Sequence, residues 1–349
     1  MQISGEDLAT SGFKFPDGSE VTIADGWELT FDHVFVTVDK VWLSETPDKN
    51  PSDESEMGAD VAEAVGPWAI DLAKPGSVPG AGGEGTAVPI TTITNQNLAD
   101  GAPFAADQRY AFSYAFGAAD SAADALNFSD DDAAVAAYQD AVAGGYTVYY
   151  VGRAVFKGTT CTTSDDTYDF TAIPTEVPFA IGFTTPTRYL NCQNQDNQGE
   201  PLADEEYQRG IPIVSNQASL AQITLHLDHP FYSAVEHEPT LYFDQFAAQL
   251  VGAPADTVLT IDDVSGIDPT ALTDAHGAVL PWRRCDGGTL PTGTTRAFMT
   301  GTIPVGPGQD PANGFRDYLD FVHYVQSAQG HLNGGEGLCY IARDYPSPP

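Results

Sequence analysis

The 349-residue chain has few basic residues and no long apolar run. Its 14 Lys and Arg stand against 49 Asp and Glu, which gives a formal net charge of −35. Phosphate backbones and anionic lipid repel such a surface, so nucleic acid and membrane faces are poor partners. No apolar run reaches the roughly 18 residues that a transmembrane helix needs, and we predict no transmembrane segment.

The acidic residues are mainly aspartate, 34 Asp to 15 Glu, and only 5 lysines are present. Short, hydrated carboxylates keep a protein dissolved in salty water by self-repulsion, and they also attract divalent cations. We interpret the composition as a halophilic or marine surface, with scattered Ca²⁺ binding as the second interpretation. Apolar residues make up 42% of the chain, enough for a large core.

The four cysteines lie far apart and form no C-x-x-C pair, which argues against a zinc ribbon or a thioredoxin-type motif. They are Cys161, Cys192, Cys285 and Cys339. An even number in Gly/Thr/Asp-rich surroundings predicts two disulfides. Three pairings are possible, and we predict Cys161–Cys192 and Cys285–Cys339 because each pair would enclose one compact segment.

Disulfides indicate an oxidising compartment, so we expect a secreted, periplasmic or cell-surface protein. Residues 1–7 contain no basic or apolar signal region. We therefore interpret Met1 as a start codon added to a mature form.

The hydrophobic patterns predict a mainly β fold: an antiparallel β-sandwich with helical insertions and a helical C-terminal cap. Residues 27–43 are apolar on both faces, as in a central strand or a strand with a mid-run bulge. Further strands are predicted at 87–94, 109–116, 146–156, 167–173, 177–184 and 223–227. Helices are predicted at 130–143 (capped by Ser129), 241–251 and 313–329.

We predict a single secreted domain. Residues 1–235 would form the β-rich part, with a long irregular insertion near 44–110, where proline and glycine are frequent. Residues 236–349 would form the helical and loop-rich cap.

Most catalytic signatures are absent. The chain has no G-x-S-x-G, H-E-x-x-H or G-x-x-x-x-G-K-[ST] motif. A G-x-G-x-x-G match at 80–85 follows a proline-rich loop and precedes no helix, so it does not indicate dinucleotide binding.

Three of the seven histidines, His226, His229 and His237, fall within twelve residues. On a strand over 223–227, His226 and Asp228 share the face opposite the core. Pro230 would end the strand, so that His229 can turn back toward His226. Converging imidazoles and carboxylates are metal ligands, and a strand end holds them rigidly.

The third ligand must come from elsewhere, and we predict His331, in a glycine-flanked loop after the last helix. Asp32 and His33 are alternatives, although His33 is also interpreted as a core histidine with a satisfied hydrogen bond. The predicted ion is Zn²⁺ or Cu²⁺, since imidazole suits both. Other interpretations are surface histidines in a polar turn, one buried histidine bonded to the backbone, or a metal-free acid/base role.

Several segments together resemble a group of secreted lipoproteins of myxobacteria and related bacteria. They are Asp25-Gly26-Trp27 with Phe31-Asp32, Gly145-Tyr146-Thr147-Val148-Tyr149, Thr187-Arg188-Tyr189-Leu190-Asn191-Cys192, His226-Leu227-Asp228-His229-Pro230-Phe231-Tyr232, Gly330-His331-Leu332-Asn333 and Gly337-Leu338-Cys339. The resemblance implies a bacterial envelope or extracellular location and no particular activity. It also implies an EF-hand-like loop after the histidines. Residues 252–263 lack the first acidic ligand and the central glycine of such a loop, so Ca²⁺ is the less favoured ion.

The sequence therefore favours an extracellular or periplasmic metal-binding protein with ligands His226, His229 and His331 and with Asp228 beside them. Two alternatives stay open: a secreted metalloenzyme with an open three-histidine site, and a metal-free structural or adhesion protein. Metal identity, substrate, protein partners and oligomeric state are not predicted.

Overall fold

A computed structural model gives the fold. The residues that it describes are 1–16, 21–80, 86–94, 96, 98, 105, 107–196, 199–202, 205–235, 239–298, 315–328, 330–334 and 337–343. Strands outnumber helices in this part of the chain, and the prediction of a mainly β fold is confirmed. Among the described residues, no helix combines the length and the apolar character that crossing a bilayer requires.

The strands are β1 Gln2–Ser4, β2 Trp27–Ser44, β3 Asp60–Asp71, β4 Val78–Pro79, β5 Thr86–Pro89, β6 Gln108–Phe116, β7 Asp124–Ala125, β8 Val148–Phe156, β9 Thr162–Thr163, β10 Glu176–Phe183, β11 Thr187–Leu190, β12 Ile211–Ile213, β13 Gln222–Thr224, β14 Leu259–Thr260, β15 Arg283–Arg284, β16 His331–Leu332 and β17 Tyr340–Ala342. The helices are α1 Leu8–Ser11, α2 Asp132–Gly144, α3 Asp244–Ala247 and α4 Tyr318–Ser327.

Strand β2 is the centre of the larger sheet. It pairs with β8, β3 and β6, and its register shifts between Phe31 and His33 and again between Val38 and Lys40. The predicted mid-run bulge is thus confirmed. The sheet continues through β10 and β14 on one side and through β11 and β17 on the other.

The smaller sheet has the order β16-β13-β1-β5-β4. Strand β1 runs parallel to β13, and β16 runs antiparallel to it. Parallel pairs also join β10 to β14 and β3 to β7, so the sheets are mixed rather than wholly antiparallel. Buried side chains of both sheets, such as Ile223 and Val36, belong to one continuous hydrophobic core.

The disulfide pairing differs from the prediction. The structure joins Cys161 to Cys285 and Cys192 to Cys339. Strand register explains the first bond, because Thr162 pairs with Arg284 in the antiparallel β9–β15 pair and the cysteines are the next residues outward. The second bond lies just beyond the antiparallel β11–β17 pair, where Leu190 pairs with Tyr340. Cys339 is the next residue outward from Tyr340, and Cys192 is the second residue after Leu190. Nearest-neighbour pairing is therefore wrong, because pairing between distant strands decides which cysteines meet.

Two predictions about local structure are also corrected. The irregular region 44–110 contains β3, a twelve-residue strand. The strand predicted at 167–173 is instead a 3-10 turn, Phe170–Ala172, in which the Asp169 side chain accepts a hydrogen bond from the Thr171 backbone N–H.

The predicted helices are present but shorter. Asp131, rather than Ser129, caps α2 by accepting hydrogen bonds from two backbone N–H groups, and Gly145 ends the helix at φ 64°. The segment 241–251 forms the four-residue α3 followed by a 3-10 turn. The C-terminal helix α4 spans Tyr318–Ser327, and residues 313, 314 and 329 of the prediction lie outside the described residues.

Candidate functional site

Strand register brings His226 between two side chains from distant parts of the chain. Ser4 of β1 pairs with Thr224 of β13 in parallel, so the residues two positions further on, Glu6 and His226, lie side by side. Glu6 Oε1 is 3.2 Å from His226 Nδ1. On the other side of β13, His331 pairs with Thr224, and the rings of His226 and His331 have centroids 4.2 Å apart.

His331 owes its position to a short hairpin. Leu332 N–H donates to the Gly337 carbonyl, and His331 and Leu338 form a β-bridge. The hairpin ends at Cys339, which the disulfide ties to Cys192. This cross-link fixes the chain next to His331.

Strand β13 ends at Thr224, earlier than the predicted 227, and His229 begins the 3-10 turn His229–Phe231 after four intervening residues, with Pro230 in its first turn. The ring is buried, and its Nδ1 lies 3.0 Å from the Val325 carbonyl of α4. A carbonyl oxygen only accepts hydrogen bonds, so Nδ1 carries the proton. In the neutral ring the lone pair is then on Nε2, the tautomer that commonly binds metals.

His226, Asp228 and His229 each offer one ligand atom within 4.8 Å of the other two. Donors about 2.1 Å from one ion lie about 3.4 Å apart in a tetrahedral site, so small side-chain rotations would close the cluster. His331 touches His226 but is not part of this convergent set. Two of the three predicted ligands, His226 and His229, therefore lie in one convergent set together with Asp228, and the predicted third ligand, His331, lies beside His226 outside this set.

One carboxylate oxygen of Asp228 is buried without a hydrogen-bond partner among the described residues. This oxygen is Oδ1, and it is shielded from water. A buried carboxylate oxygen without a partner is costly. A cation bound at the cluster would compensate it.

Glu6 is a member of the site that the sequence did not reveal. Its backbone has φ 56°, a left-handed conformation that costs a non-glycine residue about 1–3 kcal/mol and is frequent at functional sites. Its side chain is 21% exposed and meets Nδ1 of His226. Only the parallel register of β1 and β13 brings it there, and no local pattern around residue 6 encodes that register.

The cluster opens into a cleft of about 740 Å³. The cleft is lined by Glu6, Leu8, Val21, Thr22, Ala24, His226, Asp228, His229, Tyr232, Val235, Pro239, Thr240, Leu241, Arg284, Asp286, Val325, Ala328, His331 and Leu338. Its volume lies in the range of small-molecule sites, about 300–1,000 Å³. The histidines are therefore in the wall of a substantial cleft rather than in a closed core.

His33 and Asp32, the alternative third ligands, do not line this cleft, and neither does His323. His33 Nδ1 lies 2.8 Å from Asp71, a fully buried carboxylate, in agreement with its interpretation as a satisfied histidine. Asp32 is exposed on β2 and is not among the lining residues. His323 lies in α4, where burial lowers the pKa of its ring. His237 lies outside the described residues.

One acidic residue of the loop 252–263 is engaged in local structure. Asp263 Oδ2 accepts hydrogen bonds from the backbone N–H and the hydroxyl of Thr260, at 2.7 and 2.9 Å, and so closes a capping box. Calcium binding at this loop remains a prediction.

Comparisons with known proteins add no relative. No protein-family model matches the chain, and no curated protein or solved structure is significantly similar to it. The resemblance to secreted lipoproteins remains a prediction, and the function has to be inferred from the geometry of the site.

Proposed function

We propose that the protein binds one transition-metal ion through His226, His229 and Asp228, with His331 as a further ligand from the neighbouring strand. The ion is Zn²⁺ or Cu²⁺, because both accept imidazole and carboxylate ligands. The observation that carries the proposal is the convergence of three donor atoms within 4.8 Å of one another.

Hydrogen bonds behind the ring nitrogens support the proposal. Metal-binding histidines commonly donate their second ring N–H to a carboxylate or a backbone carbonyl, which fixes the tautomer and strengthens the ligand. His226 has the Glu6 carboxylate at Nδ1, and His229 has the Val325 carbonyl. Surface histidines in a polar turn would not need two such acceptors.

Charge also supports a cation at this place. Two carboxylates, Glu6 and Asp228, lie beside the imidazoles, and Asp228 Oδ1 has no hydrogen-bond partner among the described residues. A divalent ion would balance these two negative charges.

The second candidate function is a metalloenzyme, and the cleft favours it over a purely structural metal site. Structural zinc sites are closed by four protein ligands, whereas catalytic sites keep one position open for water or substrate. A metal at this cluster would face about 740 Å³ of accessible space. Bound there, it would supply Lewis-acid activation of water or of a substrate oxygen.

We further propose that the protein works outside the cytoplasm. Two disulfides join distant strands, and no cysteine among the described residues is free. Stable disulfides of this kind form in secreted, periplasmic or cell-surface proteins.

Metal analysis of the purified chain tests the proposal. After loading with Zn²⁺ or Cu²⁺ and removal of excess ion, mass spectrometry of the metal content should find about one equivalent in the wild type. The variants His226→Ala and His229→Ala should each bind at least tenfold more weakly. His276→Ala is the matched control, because His276 is exposed and does not line the cleft.

A wild-type protein that holds less than half an equivalent of metal would contradict the metal site. The metal-free structural or adhesion function would then be the remaining alternative. Equal losses from His276→Ala and His229→Ala would also contradict the site, because the effect would then not depend on position. The variant His331→Ala decides whether the third histidine binds the ion directly or packs against His226.

A further inference from the structure

The walls of the cleft are apolar on several sides. Aliphatic side chains reach it from five parts of the chain: α1, the segment before β2, the loop after the histidines, the end of α4 and the hairpin after β16. They are Leu8, Val21, Ala24, Val235, Pro239, Leu241, Val325, Ala328 and Leu338. Two of them are exposed, Val235 at 38% and Leu338 at 48%. Large aliphatic side chains exposed beside a polar cluster are typical of a ligand site, because the apolar part of a ligand can be buried against them.

The charged groups of the cleft argue against a polyanionic ligand. The one cationic side chain in the described lining is Arg284, which donates hydrogen bonds from Nε and Nη2 to the carboxylate of Asp286 and from Nη1 to the Thr289 carbonyl. Its donors are thereby directed at the protein itself. Together with Glu6 and Asp228, the lining carries more acid than base, so phosphates and polycarboxylates would be repelled.

We propose that the cleft takes a small molecule with an aliphatic or aromatic body and a single head group, a monocarboxylate or hydroxamate, that ligates the metal. The inference rests on the proposed function, because the bound ion supplies the only attraction for that head. The body would lie against the aliphatic wall. The one negative charge on the head would lie on an atom bound directly to the ion. A second negative charge would lie farther from the ion and would be repelled by the acidic lining.

Calorimetric titration of the zinc-loaded chain tests the ligand class. Octanohydroxamic acid and acetohydroxamic acid share one head group and differ only in the length of the chain. Each buried methylene favours binding about fourfold, so burial of only three additional methylenes predicts a ratio of about sixtyfold. Tetra-alanine hydroxamate is the third probe and stands for a peptide.

A substitution in the wall shows where the body lies. Val235→Asp should weaken octanohydroxamate at least tenfold and change acetohydroxamate less than twofold. Val279→Asp is the matched control, because Val279 is 50% exposed and is not among the lining residues. It should change neither affinity. Zinc content is measured for every variant.

The outcomes separate the two proposals. If the chain binds zinc but the two hydroxamates bind equally well, the ligand class is overturned and the metal site stands. If the peptide hydroxamate binds more tightly than octanohydroxamate, the small aliphatic ligand is replaced by a peptide. If no zinc binds, both the proposed function and the proposal that the head group ligates a metal are overturned. This holds even if Val235→Asp still lowers the affinity for octanohydroxamate, because that result would report only on the aliphatic wall.

Discussion

Removal of one guanidinium from a buried ionic cluster should strongly destabilise the fold. Asp25, Asp244 and Arg296 are fully buried, and Arg283 is 6% exposed. Arg296 Nη1 lies 3.0 Å from Asp25 Oδ2, and its Nη2 lies 3.1 Å from Asp244 Oδ2. Arg283 donates two hydrogen bonds to Asp244. At a pH above the pKa of Asp25, which burial raises to about 7, two positive and two negative charges therefore balance, and the comparison below is made at pH 8.

Arg296→Met keeps a long side chain but leaves Asp25 without its charge partner. The carboxylate would keep only the backbone N–H groups of Phe243 and Asp244. Breaking a buried pair from one side costs about 3–5 kcal/mol, because it leaves an uncompensated charge. For 349 residues the entropy of unfolding is about 0.7 kcal/mol/K, so the melting temperature should fall by about 4–7 °C.

Calorimetry and urea unfolding measure this loss. The matched control is Arg316→Met, since the side chain of Arg316 is 83% exposed and its pair with Asp320 contributes about 1 kcal/mol at most. The double variant Asp25→Asn/Arg296→Met should recover part of the lost stability, because it removes the unpaired charge. If Arg296→Met cost no more than the control, the interpretation of the cluster would be refuted.

Three further predictions concern the whole chain. Peptide mapping without reduction should find Cys161–Cys285 and Cys192–Cys339; any other pairing would contradict the strand register. Burial and the neighbouring Asp244 raise the pKa of Asp25 from 3.8 to about 7, so between these values the folded state binds more protons than the unfolded state. The stability that protonated Asp25 contributes is complete below about pH 4 and is lost as the pH rises through 7. In urea unfolding, the free energy of unfolding should therefore fall less between pH 4 and pH 7 in Asp25→Asn than in the wild type. At a net charge of −35, the melting temperature should rise between 0.1 and 1 M NaCl, where the Debye length falls from about 10 to about 3 Å; a flat trend would remove the halophilic interpretation.

The sequence predicted those strands and helices whose hydrophobic pattern and end residues lie within one segment of the chain. The double-sided apolar run predicted β2 and left open whether it was a central strand or bulged, and β2 is both. The helix predicted at 130–143 matches α2 within two residues at each end. Strand β3 was missed because Gly66 and Pro67 interrupt its pattern. They fall between the paired residues Val65 and Trp68, where the register against β2 shifts and a proline is tolerated.

What the sequence did not reveal depends on pairing between distant strands. The disulfides join chain ends that two antiparallel strand pairs, β9–β15 and β11–β17, bring together, and Glu6 reaches His226 through the parallel register of β1 and β13. By contrast, the meeting of His331 with His226 was predicted from composition, since few histidines are present and glycines flank His331. Its partner strand was not predicted.

A zinc-edge anomalous difference map of crystals of the zinc-loaded chain is the most direct test of the proposed metal site. One peak should lie about 2.0–2.2 Å from ring nitrogens of His226 and His229 and from a carboxylate oxygen of Asp228, at the wall of the cleft. A peak at another place, or no peak in crystals of fully loaded protein, would contradict the site and with it the proposed function.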